Sequence, residues 1–262
     1  MQRSVLVIGS GVAGISACLN IAILCPNRRI SLISHHSPVE PSDDHSKIVR
    51  VDYANAERME EALTAQASWK KGSFSPYYLP NGRIVAYKEN SDTLRSIDQN
   101  RQQLGFDVRE RGGKELLERH FGFSDAPDGL VFVYNPDDAL VDWQPCIREH
   151  ESKAKEACSR RGGAVYESKV NFLKHDRKRV TAVVLSDGDP INTTDMDVIL
   201  AVGPWTMEVL KRSDIPPPPS HRIPIPTGIF AFELQLDDSQ TEYFMGKPVL
   251  SHIGKGMSPL SM

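Results

Sequence analysis

Apolar residues fall into short runs and periodic stretches from the fourth residue onward. Ser4–Ile8 is a largely β-branched apolar run, the pattern of a strand buried on both faces. Gly9, Gly11 and Gly14 follow, and then an apolar helical run to Leu24 on which Gly14, Cys18, Ile21, Ala22 and Cys25 share one face. Residues 29–34 form a second apolar strand, so the chain opens as β-α-β. The pattern then breaks into a polar loop, 35–45, with Pro38 and Pro41. Helices are expected over 56–71, from a Ser91-Asp92 cap to Leu104, near 114–121, and over 143–161, where Gly162-Gly163 stops the last. Residues 77–79 and 83–87 read as a hairpin around Pro80-Asn81-Gly82. Further strands are expected at 130–134, 165–168, 170–174, 181–185, 197–201, 228–236 and 249–252, with a short helix over 237–244. The prolines at 216–219 read as a stiff crossover between domains rather than a partner motif.

A plain dinucleotide domain alternates strands and helices without interruption. Here the alternation stops after the second strand, so an α/β nucleotide domain is expected to be interrupted by a second, mixed-sheet domain. The boundaries fall at 1–85 plus 139–215 for the nucleotide domain and 86–138 plus 220–262 for the other. Composition adds exclusions. The 262 residues carry a net charge of −3 with scattered basic residues, which argues against a nucleic-acid surface. No apolar run approaches a membrane span, and the N-terminus enters a strand directly, unlike a signal peptide. A soluble intracellular monomer, cytoplasmic or peroxisomal, is expected. The four cysteines show no C-x-x-C spacing, and Cys18 and Cys25 lie roughly 10 Å apart along one helix, too far to bridge. They read as packing residues, and the eight histidines form no metal-ligand set.

Chemistry enters with the glycines. In G-x-G-x-x-G the first glycine permits a tight turn, the second lets backbone N–H groups approach a pyrophosphate, and the third allows close helix–strand contact. Gly9, Gly11, Val12, Ala13 and Gly14 are therefore candidate cofactor-binding positions, facing phosphates with the positive end of a helix. The acidic residue that ordinarily holds the adenosine ribose at the end of the second strand is replaced by Ser34, followed by His35 and His36. Serine hydrogen-bonds a ribose more weakly than a carboxylate. With cationic neighbours it also suits a ribose 2′-phosphate, so NADP stays open.

Four stretches resemble the FAD-dependent amine oxidases of the D-amino acid oxidase superfamily, in the branch of sarcosine oxidase and the fructosyl amino acid oxidases (Amadoriases). They are Gly9-x-Gly11-x-x-Gly14; Ser42-Asp-Asp-His-Ser-Lys-Ile-Val-Arg50 with Tyr53; Asp197-Val-Ile-Leu-Ala-Val-Gly-Pro-Trp-Thr206; and Gly228-Ile-Phe-Ala-Phe-Glu-Leu234 with Lys247-Pro-Val-Leu-Ser-His252. The resemblance implies a Rossmann-like FAD-binding domain of glutathione-reductase type, interrupted by a mixed-sheet substrate domain. It implies FAD as cofactor, an amino acid with a secondary amine as substrate, and O2 as acceptor. By the same resemblance Ser46 and Lys47 sit against the flavin, and Arg50 holds the substrate carboxylate. Val170 meets the adenine through its backbone, and Gly203 and Trp205 stand where the chain returns to the flavin. The residues alone leave Lys47 and Arg50 open to two readings. They are solvated loop charges, or, given the apolar Ile48-Val49 between them, partly buried cations suited to a carboxylate and to developing negative charge.

The resemblance runs out near Gly254, before the family's oxygen-activating lysine, its flavin-linking cysteine and its closing glycine-rich segment. The chain is therefore expected to lack the closing part of the family's length. Three functions follow as expectations: an FAD amine oxidase of Amadoriase type, an NADP-binding reductase, or a non-catalytic nucleotide-binding remnant.

Overall fold

The computed structural model describes residues 3–35, 42, 46–107, 109–123, 125–176, 178–217, 219 and 234–252. In chain order come β1 (Ser4–Ile8), α1 (Val12–Leu24), β2 (Ile30–Ser34), β3 (Ser46–Val49), α2 (Ala56–Lys71), β4 (Tyr78–Leu79) and β5 (Arg83–Lys88). Next are α3 (Asp92–Gln103), β6 (Glu110–Gly112), α4 (Lys114–Phe121), β7 (Leu130–Asn135), β8 (Ala139–Asp142) and α5 (Trp143–Arg160). Then follow β9 (Val165–Glu167), β10 (Val170–His175), β11 (Val180–Leu185), β12 (Ile191–Asn192), β13 (Met196–Leu200), α6 (Thr206–Arg212), α7 (Asp238–Phe244) and β14 (Val249–His252). Packing divides the chain into two units, Met1–Asp44 with Gln144–Phe232, and His45–Trp143 with Glu233–Met262.

The first unit is a three-layer α/β body. Its central sheet has the order β13-β1-β2-β9, with every pair parallel. Val5 and Val7 of β1, with Ile30 and Leu32 of β2, bury one face against Ile15 and Cys18 of α1 and Ala154 and Cys158 of α5. Leu6, Ile8 and Ile33 point the other way, into Val170, Leu173, Val183 and Leu185 of the antiparallel sheet β10-β11-β12 and Val209 of α6. Cover on both faces is why β1 reads as an unbroken apolar run. Cys18 and Cys158 are free thiols in this core. A hydrogen bond to Cys158, with burial, pushes the Cys18 thiol well above its ordinary value. Gly162, at φ +67°, ends α5 in the left-handed conformation expected of a helix-stopping glycine.

The second unit has a mixed sheet of order β14-β5-β7-β6, in which β14 and β5 run parallel and the other pairs antiparallel. Val85, Tyr87 and Val133 pack on Met59 of α2 and Leu94 and Ile97 of α3. Ile84, Ala86 and Phe132 pack on Leu116, Leu117 and Phe121 of α4. A small antiparallel sheet, β3-β8-β4, stands beside these elements. Helix starts follow local chemistry: Asn55 and Ser91 cap α2 and α3, and Asp237 with Gln240 forms a capping box on α7.

Several expectations change. The hairpin over 77–87 does not form, because β4 pairs with β8 while β5 pairs with β7 and β14. Gly82, at φ +74°, turns the chain from one sheet to the other, and its N–H donates to the Asp138 carbonyl at 3.0 Å. The same pairings carry residues 45–85 and 139–143 into the second unit, so the expected boundaries at 85 and 139 move to 44 and 143. The short strands β6, β8 and β12 were not expected. The expected strand at 228–236 lies outside the described residues up to 233, and 234–236 are not strand. Pro216, Pro217 and Pro219 are exposed.

A network of charges is buried in the second unit. The Asp52 carboxylate, fully inaccessible, is held by Arg101 at 3.0 Å, by Arg109, and by the Asn135 amide at 2.6 Å. Asp138 pairs with Arg83 at 2.7 Å and accepts from Asn135 at 3.1 Å and from the Val51 N–H at 3.0 Å. Burial pushes the Asp138 carboxyl above its ordinary value, against the pull of Arg83. Breaking a buried pair from one side leaves an uncompensated charge. Asp52→Asn is therefore expected to cost the second unit about 3–5 kcal/mol, read as a shifted midpoint in urea denaturation.

Candidate functional site

A cavity of about 300 Å³ opens in the first unit at the carboxyl edge of its parallel sheet. Two backbone contacts build its floor. Gly9, at φ +108°, runs so close to the Ala201 carbonyl that a Cβ has no room, and a Cβ on Gly14 would overlap the Gly9 carbonyl. Hydrogen bonds from Gly9 N–H to Ile33 (2.9 Å) and from Ala201 N–H to Ile8 (2.8 Å) hold the strand ends together. α1 starts directly on this floor. Gly11 is its N-cap and contributes no side-chain cap, and no acidic residue lies in the first turn. A Cβ at Gly11 would come within 3.0 Å of Ser42 Oγ, which accepts the Val12 N–H at 3.2 Å. The cavity therefore meets a helix N-terminus carrying about half a positive charge.

The remaining walls combine apolar and cationic groups. Ile8, Ile33, Val170, Val202 and Val209 supply apolar surface, while His35, Lys169 and Arg212 supply groups able to carry positive charge. Arg212 pairs with Glu208 one turn earlier on α6. An anionic diphosphate joined to a flat apolar ring complements such a lining.

Of the residues singled out from sequence, the cavity gathers Gly9, Gly11, Val12, Ala13, His35, Val170, Gly203 and Trp205. Gly14 does its work underneath, by admitting the Gly9 carbonyl. Ser34 does not line the cavity. Its hydroxyl is buried and hydrogen-bonded to Ser10 and Glu151, so it is not turned to a ribose. Ser46, Lys47 and Arg50 belong to the second unit, on and just after β3. Lys47 is half-buried and Arg50 exposed. The Arg50 guanidinium lies 4.8 Å from the centroid of the Tyr53 ring and its Nε donates to the Tyr53 hydroxyl at 3.3 Å. Ser42, Ser168, Lys169, Glu208 and Arg212 line the cavity without having been singled out. A signal existed for two of them: Glu208 and Arg212 follow Trp205 at +3 and +7, the spacing of one helical face.

The family model for FAD dependent oxidoreductases (DAO) matches residues 4–253. The chain belongs to that family. FAD is accordingly the cofactor, and NADP gives way to it. Solved structures with a similar fold include a modified fructosyl peptide oxidase from Aspergillus nidulans in complex with FSA, 16% identical with a TM-score of 0.69 over 95% of this chain and 59% of that one. A fructosyl peptide oxidase from E. terrenum is 14% identical, TM-score 0.68, over 95% and 58%. NikD, an unusual amino acid oxidase essential for nikkomycin biosynthesis, is 18% identical, TM-score 0.62, over 80% and 53%. The chain thus spans just under three-fifths of the fructosyl peptide oxidases it resembles. No curated protein matches it in sequence.

The residues fit the adenosine-diphosphate half of FAD: a cradle that a Cβ would fill, a helix N-terminus with no acidic residue in its first turn, cationic groups and an apolar wall. Two glycine variants separate the roles. Gly14→Ala has no space and is expected to cost the first unit at least about 3 kcal/mol and abolish FAD binding. Gly203→Ala meets open space at φ +55° and is expected to cost only about 1–2 kcal/mol. Urea denaturation and FAD fluorescence quenching measure both.

Proposed function

We propose that the protein oxidises the C–N bond of a secondary amine in an amino acid, with O2 as final acceptor, to give an imine and H2O2. The observation that carries the substrate class is Arg50, a planar guanidinium stacked on Tyr53 at the exposed end of β3. A stacked, pre-oriented guanidinium binds a carboxylate through two parallel hydrogen bonds, which a lysine cannot reproduce. The names of the proteins sharing this fold, fructosyl peptide oxidases and an amino acid oxidase, support the reading.

FAD, when bound, supplies the two-electron acceptor for the substrate carbon and returns the electrons to O2. The polypeptide binds and orients. Backbone N–H groups of the Gly9–Gly14 turn and the start of α1 would take the pyrophosphate, and Val170 would meet the adenine. Arg50 fixes the substrate carboxylate and so presents the C–H bond beside the nitrogen in one orientation. Lys47, three residues earlier, places positive charge where negative charge develops. Gly203 and Trp205, on the cavity wall, complete the surroundings of FAD in the first unit. Water then splits the imine to an amine and a carbonyl.

The purified chain is expected to be yellow and to release flavin into the supernatant on acid precipitation. With secondary amino acids it is expected to produce peroxide, and Arg50→Ala to raise KM about 10- to 100-fold, the loss of one charged hydrogen-bonded pair. A colourless chain that takes up no FAD would overturn the proposal. So would peroxide production with an unchanged KM in Arg50→Ala.

A further inference from the structure

Ser34 ends β2, where a dinucleotide fold ordinarily carries the carboxylate that holds the adenosine ribose. Its side chain is committed elsewhere. It is 1% exposed, with Oγ 2.8 Å from Ser10 Oγ and 3.0 Å from Glu151 Oε1. A serine hydroxyl has one proton and an ionised carboxylate has none. Ser34 therefore donates to Glu151, and Ser10 donates to Ser34. Ser10 sits between Gly9 and Gly11, is itself buried, and lines the cavity. The relay thus runs from α5, across the end of β2, into the glycine turn.

Glu151 is almost fully buried, which without a cation would be costly. Lys155, one turn on, donates to the same Oε1 at 3.1 Å and reaches Glu167 at 2.9 Å. Glu167 is the parallel-strand neighbour of Ser34 across β2 and β9. The carboxylate missing from β2 is therefore present nearby, on a helix, charge-compensated and aimed at the back of the turn.

We propose that Glu151 is a positioning residue of the FAD site, holding the Gly9–Gly11 turn through Ser34 and Ser10 rather than touching the ribose. The inference rests on the dinucleotide site and not on the amine chemistry above. ADP, which carries both the ribose and the diphosphate, is the probe, titrated calorimetrically into the 262-residue chain well below its melting temperature. Ser34→Ala and Glu151→Ala are each expected to weaken ADP about tenfold. The double variant is expected to be no weaker than the worse single one, because both cut one relay.

The charge-placing variants decide the matter if Glu151→Ala does not fold. Ser34→Asp would set two carboxylates in contact and is expected to weaken ADP about tenfold or more; adding Glu151→Gln is expected to restore it to within about threefold. Tighter ADP binding by Ser34→Asp alone would mean that position 34 meets the ribose itself, and would overturn the proposal. So would Glu151→Ala lowering the melting temperature with ADP affinity within about twofold of the parent. A parent chain that binds no ADP would instead refute the dinucleotide site, a failure distinct from either.

Discussion

Two contacts between main-chain atoms govern the first unit: Gly14 against the Gly9 carbonyl, and Gly9 against the Ala201 carbonyl. Each needs a residue without a Cβ, and together they press the start of α1 onto the ends of β1 and β13. The rest follows from that closeness. With α1 seated there, its N-terminus opens at the carboxyl edge of the sheet, and Val170, Val202 and Trp205 wall the space beyond it. Parallel sheets bind ligands at that edge because the strand-to-helix turns converge there with their N–H groups free. The cradle itself is made of backbone.

The second unit rests on a different constraint. Its strands and helices enclose Asp52 and Asp138 with Arg83, Arg101, Arg109 and Asn135, at a depth where unpaired charge is untenable. Such a network adds little net stability over an apolar core of the same shape, but it tolerates few alternative arrangements. Val51 and Asp52, the residues immediately after Arg50, are anchored in it. The guanidinium that the proposal gives to the substrate therefore stands next to a fixed length of chain.

Much of the first unit was legible in the sequence because its signals are local. The apolar runs of β1 and β2, the three glycines and the 3.6-residue period of α1 each lie within a few residues of one another. Helices α2, α3 and α7 were legible for the same reason, α3 through the cap at Ser91. What stayed hidden depends on distant partners. The 77–87 hairpin looked sound locally, but β4 and β5 find better partners farther along the chain, in β8, and in β7 and β14. Asp52 and Arg101 lie 49 positions apart, so nothing local to either marks their pairing. Ser34 was placed on a ribose because its position along β2 demanded it, while the residue that claims its hydroxyl, Glu151, lies 117 positions downstream. Of the cavity, the turn was visible in the pattern and the wall from α6 was visible only by carrying the helical period past Trp205.

The central claim is that FAD binds the glycine-floored cavity of the first unit. Hydrogen–deuterium exchange with and without FAD addresses it directly. Protection is expected to concentrate in residues 9–14, 168–170 and 201–212, the segments lining the cavity. Protection confined to other segments, or no change at saturating FAD, would contradict it.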